Sequence, residues 1–129
     1  YIGLTTLSLF SNIEPNTLLN VAGFCRLSTS NNIHLIHNDG SGTATTVDLG
    51  SDFPANTIST DKYNLTWETV PTGLYLRIDR VGTAFYYETT LTSDIPAVSQ
   101  GLRFGAYIVD TTGVSVATGF DWYGTYVKV

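Results

Sequence analysis

The sequence predicts an all-β fold, an antiparallel sandwich of two sheets, and three observations carry that prediction. Thr, Ser, Asn and Gly supply most of the polarity, while charged residues make up 13% and hydrophobic residues 43% of the 129 positions; this balance suits pleated strands and tight turns better than helices. Turn signals recur at short intervals along the chain. Between them, apolar and polar residues alternate with period two, and no apolar stripe of period 3.6 lasts long enough to make a helix. The length fits one domain spanning residues 1–129, with a sizeable core and no room for a second.

Taken in order, the run from Ile2 to Phe10 reads as a first strand, and Glu14-Pro15-Asn16 as a turn in which a short helical turn fits. Cys25 lies in an apolar strand. As the lone cysteine it has no intramolecular disulfide partner and reads as a small buried hydrophobe. After the turn Ser30-Asn31-Asn32, the strand Ile33-His34-Leu35-Ile36-His37 puts its two histidines on opposite faces. They therefore form no shared metal or catalytic pair, and a histidine on such a strand reads as a hydrogen-bonded surface residue.

The next turn, Asn38-Asp39-Gly40-Ser41-Gly42, offers several oxygens, with Asp48 and Asp52 further on. Calcium needs about six to eight oxygen ligands. Asp-Gly is more simply a turn former, so no metal or other cofactor is expected. Gly50-Ser51-Asp52 closes this part of the chain.

Tyr63, Leu65 and Trp67 share one face of the strand before the turn Val70-Pro71-Thr72-Gly73. The clearest hairpin follows. Leu74, Leu76 and Ile78 point one way, while Tyr75, Arg77 and Asp79 point the other; Val81-Gly82-Thr83 turns the chain. On the return, Phe85, Tyr87, Thr89 and Leu91 alternate with Tyr86, Glu88 and Thr90. Such regular alternation means one dry face and one wet face.

Ser93-Asp94-Ile95-Pro96 is a further turn, also compatible with a short helical turn. The strand 102–109 then repeats the pattern, with Leu102, Phe104, Ala106 and Ile108 on its apolar side. Past Asp110-Thr111-Thr112-Gly113, residues 120–129 read as a long last strand, with Gly124 a possible bulge. This last strand is expected to pair with the first. Phe85, Phe104, Phe120 and Trp122 are expected in the core.

Function classes narrow by elimination. A formal charge of −5, with Arg26, Lys62, Arg77, Arg80, Arg103 and Lys128 scattered, argues against nucleic acid. No apolar stretch approaches the roughly 20 residues of a spanning helix, so no membrane insertion is expected. The chain opens on Tyr1 without an initiator Met or a secretory signal and reads as a piece of a longer polypeptide. Asn64-Leu65-Thr66 matches the N-glycosylation sequon, but it falls within a strand.

Catalysis of glycoside hydrolysis would need two carboxylates facing one another about 5–9.5 Å apart. Glu68 and Glu88 both point away from their apolar faces but read as partners of Arg77 or Arg103. No Gly-x-Ser-x-Gly elbow, His-x-His pair or second cysteine is present, and no enzyme is expected.

The aromatic supply points to binding. Eight Tyr, two Trp and six Phe are many for this length. Tyr75, Tyr86, Tyr107 and Tyr123 fall opposite the apolar series, alongside Arg77, Asp79, Glu88 and Arg103. Rings stack on the C–H faces of sugars while flanking polar groups meet hydroxyls. Tyr75, Arg77, Asp79, Glu88, Arg103, Tyr107 and Tyr123 are the candidate ligand contacts. The same inventory serves a subunit interface or a solvated sheet.

Leu-Tyr-Leu-Arg-Ile, the Gly turn, the Phe-Tyr-Tyr return, Leu-Arg-Phe-Gly-Ala-Tyr and Phe-Asp-Trp-Tyr together resemble concanavalin A-like (laminin G-like) jelly rolls, over Tyr63 to the C-terminus. The stretch Ile33 to Thr60, with His34-Leu35-Ile36-His37-Asn38-Asp39-Gly40-Ser41-Gly42-Thr43-Ala44-Thr45 at its heart, is similar to C-terminal tip domains of bacteriophage tail fibres and tail-fibre-like bacterial adhesins. This resemblance implies a jelly roll and the C-terminal part of a longer fibre or surface protein. It further implies a homotrimer outside the cell, on a cell surface or virion tail fibre, whose partner is cell-surface carbohydrate. No ligand residue set of those proteins maps onto this chain. The rival implications are a trimerisation or capping domain without a ligand of its own, and a glycosidase-like domain.

Overall fold

The computed structural model describes residues 1–7, 13–55 and 60–107. Their elements are strands β1 (Ile2–Thr5), β2 (Val21–Cys25), β3 (His34–Asn38), β4 (Thr45–Asp48), β5 (Tyr63–Val70), β6 (Gly73–Arg80), β7 (Tyr86–Leu91) and β8 (Arg103–Ala106). Single 3-10 turns occupy Pro15–Thr17 and Val98–Gln100. The first fits the preference of proline for the start of a helical turn. None of the described helices is long and apolar enough to cross a membrane.

The strands form two antiparallel sheets, one of five strands in the order β4-β3-β2-β1-β8 and one of three in the order β5-β6-β7. Both inward faces come from the alternation. Ala22, Phe24 and Leu35 of the larger sheet meet Leu74, Leu76, Ile78 and Leu91 of the smaller, with Phe53 closing one side. Leu76 and Ile78 have no exposed surface. Tyr63, Leu65 and Trp67 line the same core from β5, as their shared face predicts.

A second core lies on the other side of the five-stranded sheet, where Tyr1, Leu18, Val21, Cys25, Ile36, Ala44 and Tyr107 pack together. Chain from the 13–18 region covers this face. The middle of the larger sheet, β2 and most of β3, is therefore dry on both sides, while its end strands β4 and β8 are largely exposed; the smaller sheet keeps the wet outer face that alternation predicts. Cys25 is buried here, and burial pushes its thiol up to about 12.

A row of glycines crosses this second face. Gly3 pairs with Gly105 on one side and Gly23 on the other. A Cβ on Gly23 would lie 2.3 Å from the Ile2 carbonyl oxygen, and one on Gly3 2.5 Å from that of Ala22. Only glycine fits so close an approach of backbone to backbone.

Several expectations are corrected. β1 is flanked by β2 and β8, so residues 2–5 have no free edge for the C-terminal run to pair with. Residues 108–129, including Phe120, Trp122 and Tyr123, lie outside the described residues. Phe85 is 43% exposed because it precedes β7, in the β6–β7 connection where its carbonyl accepts from Arg80 N–H. Phe104 is 40% exposed. It points inward, with Trp67 edge-on at 5.5 Å, but β8 is the end strand of its sheet among the described residues. His34 is buried, not a surface residue, and neither ring nitrogen has a hydrogen-bond partner among the described residues.

Candidate functional site

The outer face of the three-stranded sheet is a grid of nine side chains set by register. Asn64, Asp79 and Tyr86 form one cross-strand row, Thr66, Arg77 and Glu88 the next, and Glu68, Tyr75 and Thr90 the third. Their positions follow from period two: the alternate residues Leu74, Leu76 and Ile78 are held in the core, which turns these outward. Hairpin connections of two to five residues fix the register across all three strands.

Arg77, on the central strand, organises the grid. Its Nε donates to both carboxylate oxygens of Asp79, at 3.0 and 2.9 Å, and its Nη2 donates to Asp79 Oδ1 at 2.5 Å. Nη1 donates to Glu88 Oε2 at 2.9 Å, and the Tyr75 hydroxyl donates to the same oxygen at 2.7 Å. The guanidinium carbon lies 4.5 Å from the centre of the Tyr86 ring, a cation–π contact. Hydrogen bonds from Arg77 hold the Asp79 carboxyl below the usual range, and the bond to Glu88 pushes the Tyr75 hydroxyl up. Charge-assisted bonds of this kind fix side-chain direction as well as energy.

Three features of this arrangement can meet a ligand. Tyr86 is 55% exposed, giving a ring with a guanidinium on one face. Glu88 receives both of its bonds on Oε2, leaving Oε1 outside the network. Asn64, Thr66, Glu68 and Thr90 are exposed neutral or acidic groups around it.

Four of the residues singled out from sequence, Tyr75, Arg77, Asp79 and Glu88, are thus brought together, and Tyr86 joins them. Arg103 and Tyr107 are not. β8 belongs to the other sheet, so the core separates both residues from the grid. Tyr107 is buried in the second core, its hydroxyl donating to the Ile13 carbonyl at 3.2 Å and its ring 5.9 Å from that of Tyr1. Burial pushes that hydroxyl up to about 12. Arg103 is exposed across the register from Thr5. Tyr123 lies outside the described residues.

Glu68 and Glu88 stand on one sheet face, two strands and two residues apart, an offset of about 12 Å between backbones from ordinary strand spacings. They do not form the facing walls of a cleft. In the Asn38–Ser41 turn, Asn38 Oδ1 accepts from Gly40 N–H at 2.6 Å, and Asp39 Oδ1 accepts from Ser41 N–H and Oγ at 3.0 and 2.7 Å. The turn is closed by its own side chains.

Two further constellations are not legible from sequence spacing. Cys25, His34 and Asp48 share a cross-strand row on the larger sheet. However, His34 Nε2 is 4.0 Å from Asp48 Oδ2 and the Cys25 thiol is pushed up by burial, which gives no activated nucleophile. Asp94, with a left-handed φ of 51°, binds three chain segments. Its carboxylate accepts from Asp39 N–H at 3.1 Å and Thr45 Oγ1 at 2.7 Å, and stands 3.2 Å from His37 Nδ1. This knot ties the connection after β7 to the β3–β4 end of the larger sheet.

A cleft of about 610 Å³ opens at one end of the sandwich, lined by Leu4, Val70, Pro71, Leu74, Ile95 and Leu102 among others. It holds none of the candidate contacts. In comparisons with protein-family models, with curated proteins and with solved structures, nothing matches the chain.

Proposed function

We propose that this chain is a non-catalytic binding module, a jelly-roll tip domain of an extracellular fibre or adhesin that recognises cell-surface carbohydrate through the outer face of β5-β6-β7. The observation that carries the reading is the exposed Tyr86 ring set beside a hydrogen-bonded Tyr75–Glu88–Arg77–Asp79 array. A sugar ring stacks its C–H face on Tyr86 while its hydroxyls meet Glu88 Oε1 and the neighbouring Asn64 and Thr66. Because Arg77 and its carboxylates are already ordered, little side-chain entropy is lost on binding. Resemblance to fibre-tip domains supplies the ligand class and the homotrimer, in which three weak sites act together.

Binding of the 129-residue chain to a glycan array tests this, with Tyr86→Ala as the decisive variant. Tyr86→Ala is expected to lose binding at least tenfold while keeping wild-type stability, since the ring is more than half exposed. Equal binding by Tyr86→Ala and wild type, or none by a folded wild type, rejects the site.

A second reading has its own observation. Val81 and Phe85 are exposed next to Tyr86 at the hairpin end, an apolar cluster suited to a subunit contact in a trimerisation or capping domain. Sedimentation of the isolated chain, with Phe85→Ser as comparison, separates the two: dissociation of an oligomer by that change favours the interface.

A further inference from the structure

We infer that the β5-β6-β7 face selects uncharged and amine-bearing sugars and rejects acidic ones, Arg77 serving as an internal counter-ion instead of an anion receptor. This rests on the glycan reading of the face and adds the ligand class. The grid holds three carboxylates, on Glu68, Asp79 and Glu88, against one guanidinium, a net of two negative charges.

An exposed arginine beside tyrosines is the usual receptor for a carboxylate or sulfate. Here three of its five N–H donors are already committed to carboxylates. Nε and Nη2 point at Asp79, Nη1 at Glu88, and the flat face lies over Tyr86. An acidic sugar would have either to displace one of these carboxylates or to share a guanidinium already paired with two of them, standing beside both. An ammonium or hydroxyl group meets Glu88 Oε1 and Glu68 with no such exchange. The chain as a whole is also negative, at −5, so long-range attraction works the same way.

The geometry also makes Arg77 a positioning residue. It aims Glu88 and Asp79 and supports the ring of Tyr86, so its removal disperses the contacts without removing any that touch the ligand.

The test is equilibrium binding of the whole chain to three immobilised oligosaccharides of equal length. One is an N-acetylglucosamine oligomer, one its deacetylated glucosamine counterpart, and one a uronic acid oligomer, each at low and high salt. The expected order is glucosamine above N-acetylglucosamine by about threefold at low salt, a gap that closes at high salt, with the uronate weakest. Glu68→Gln, which alters no hydrogen bond of Arg77, is expected to narrow the gap between neutral and acidic ligands. The double change Glu88→Gln and Asp79→Asn, which leaves the guanidinium without a paired negative charge, is expected to raise uronate binding above wild type.

Uronate binding by wild type equal to or above the neutral oligomer overturns the inference while the glycan reading stands. Failure of all three oligosaccharides, when a broad array also shows no ligand, removes the glycan reading and the inference with it. Unchanged selectivity in both variants likewise overturns the charge argument.

Discussion

Replacing Gly23 by alanine tests the packing of the larger sheet at its tightest point. The new Cβ would lie 2.3 Å from the Ile2 carbonyl oxygen and 2.7 Å from Gly3 Cα, about 1.1 Å short of the 3.4 Å at which ordinary contact begins. Both neighbours are backbone and cannot rotate aside. Relief requires β1 to move off β2, and a shift of about 1 Å stretches ladder bonds of roughly 2.9 Å beyond hydrogen-bonding range. β1 and β2 share four paired residues. Losing about two ladder bonds at ~1 kcal/mol each outweighs the roughly 0.5 kcal/mol that alanine contributes by stiffening the unfolded chain. The φ of Gly23 lies outside the left-handed region, so no backbone penalty is added. The expected net loss is about 1.5 kcal/mol, inside the ~1–3 kcal/mol range for overpacked sites. With a urea dependence of about 1.5 kcal/mol per molar, the unfolding midpoint falls by about 1 M. Urea titration followed by tryptophan fluorescence reads this, with Thr66→Ala on the exposed face as a reference that stays within ~0.5 kcal/mol of wild type. Amide exchange of β1 and β2 should accelerate selectively. A Gly23→Ala protein as stable as wild type, with β1–β2 amides still protected, would refute the close approach of these strands.

Three other outcomes follow from the same contacts. Asp94→Ala removes the carboxylate that accepts from Asp39 and Thr45 and stands beside His37, keeps the backbone carbonyl that bonds His37 Nδ1, and leaves a non-glycine residue at φ 51°; a loss of about 1–2 kcal/mol by urea titration is expected, with exchange rising first in the connection after β7. For Asp79, the folded carboxyl titrates below its unfolded value because Arg77 donates to it; its contribution is therefore present above the unfolded value of about 3.9 and lost as pH falls through the lower folded one, and a series of unfolding midpoints down this window should be flatter for Asp79→Asn than for wild type. Cys25, buried with its thiol raised to about 12, should resist a disulfide reagent at neutral pH in the native protein and react at once in urea, so labelling in the native state at the unfolded rate contradicts its placement.

Much of the smaller sheet is legible in the sequence. In 74–91 the alternation is unbroken, and a hairpin connection ties the two strands together locally, so face and register follow from spacing alone. That is why Tyr75, Arg77, Asp79 and Glu88 emerge as one set. The larger sheet is assembled from strands far apart in sequence, β8 beside β1 and β1 beside β2. For Tyr107 and Arg103, alternation gives their side of the strand correctly, opposite Phe104 and Ala106. It carries no information on which sheet receives the strand or whether a loop covers that side. The covering stretch, 13–18, has no strand pattern of its own. Phe85 shows a different failure, since period-two counting runs on into the turn, where the pleat has already ended. The Asp94 knot joins positions about 50 residues apart and leaves no local trace.

The two sheets differ in how freely they can change. In the middle of the five-stranded sheet, on β2 and most of β3, side chains are wedged against other layers, and even the addition of one carbon to the glycine row forces strands apart. The nine outward positions of β5-β6-β7 touch mainly one another, and the interior is sealed by their neighbours in the chain. Outside the Arg77–Asp79–Glu88 network, residues there can be exchanged singly or in groups with little thermodynamic consequence. A scaffold divided in this way allows new specificities to arise by rewriting one panel while the folding information stays in the remainder.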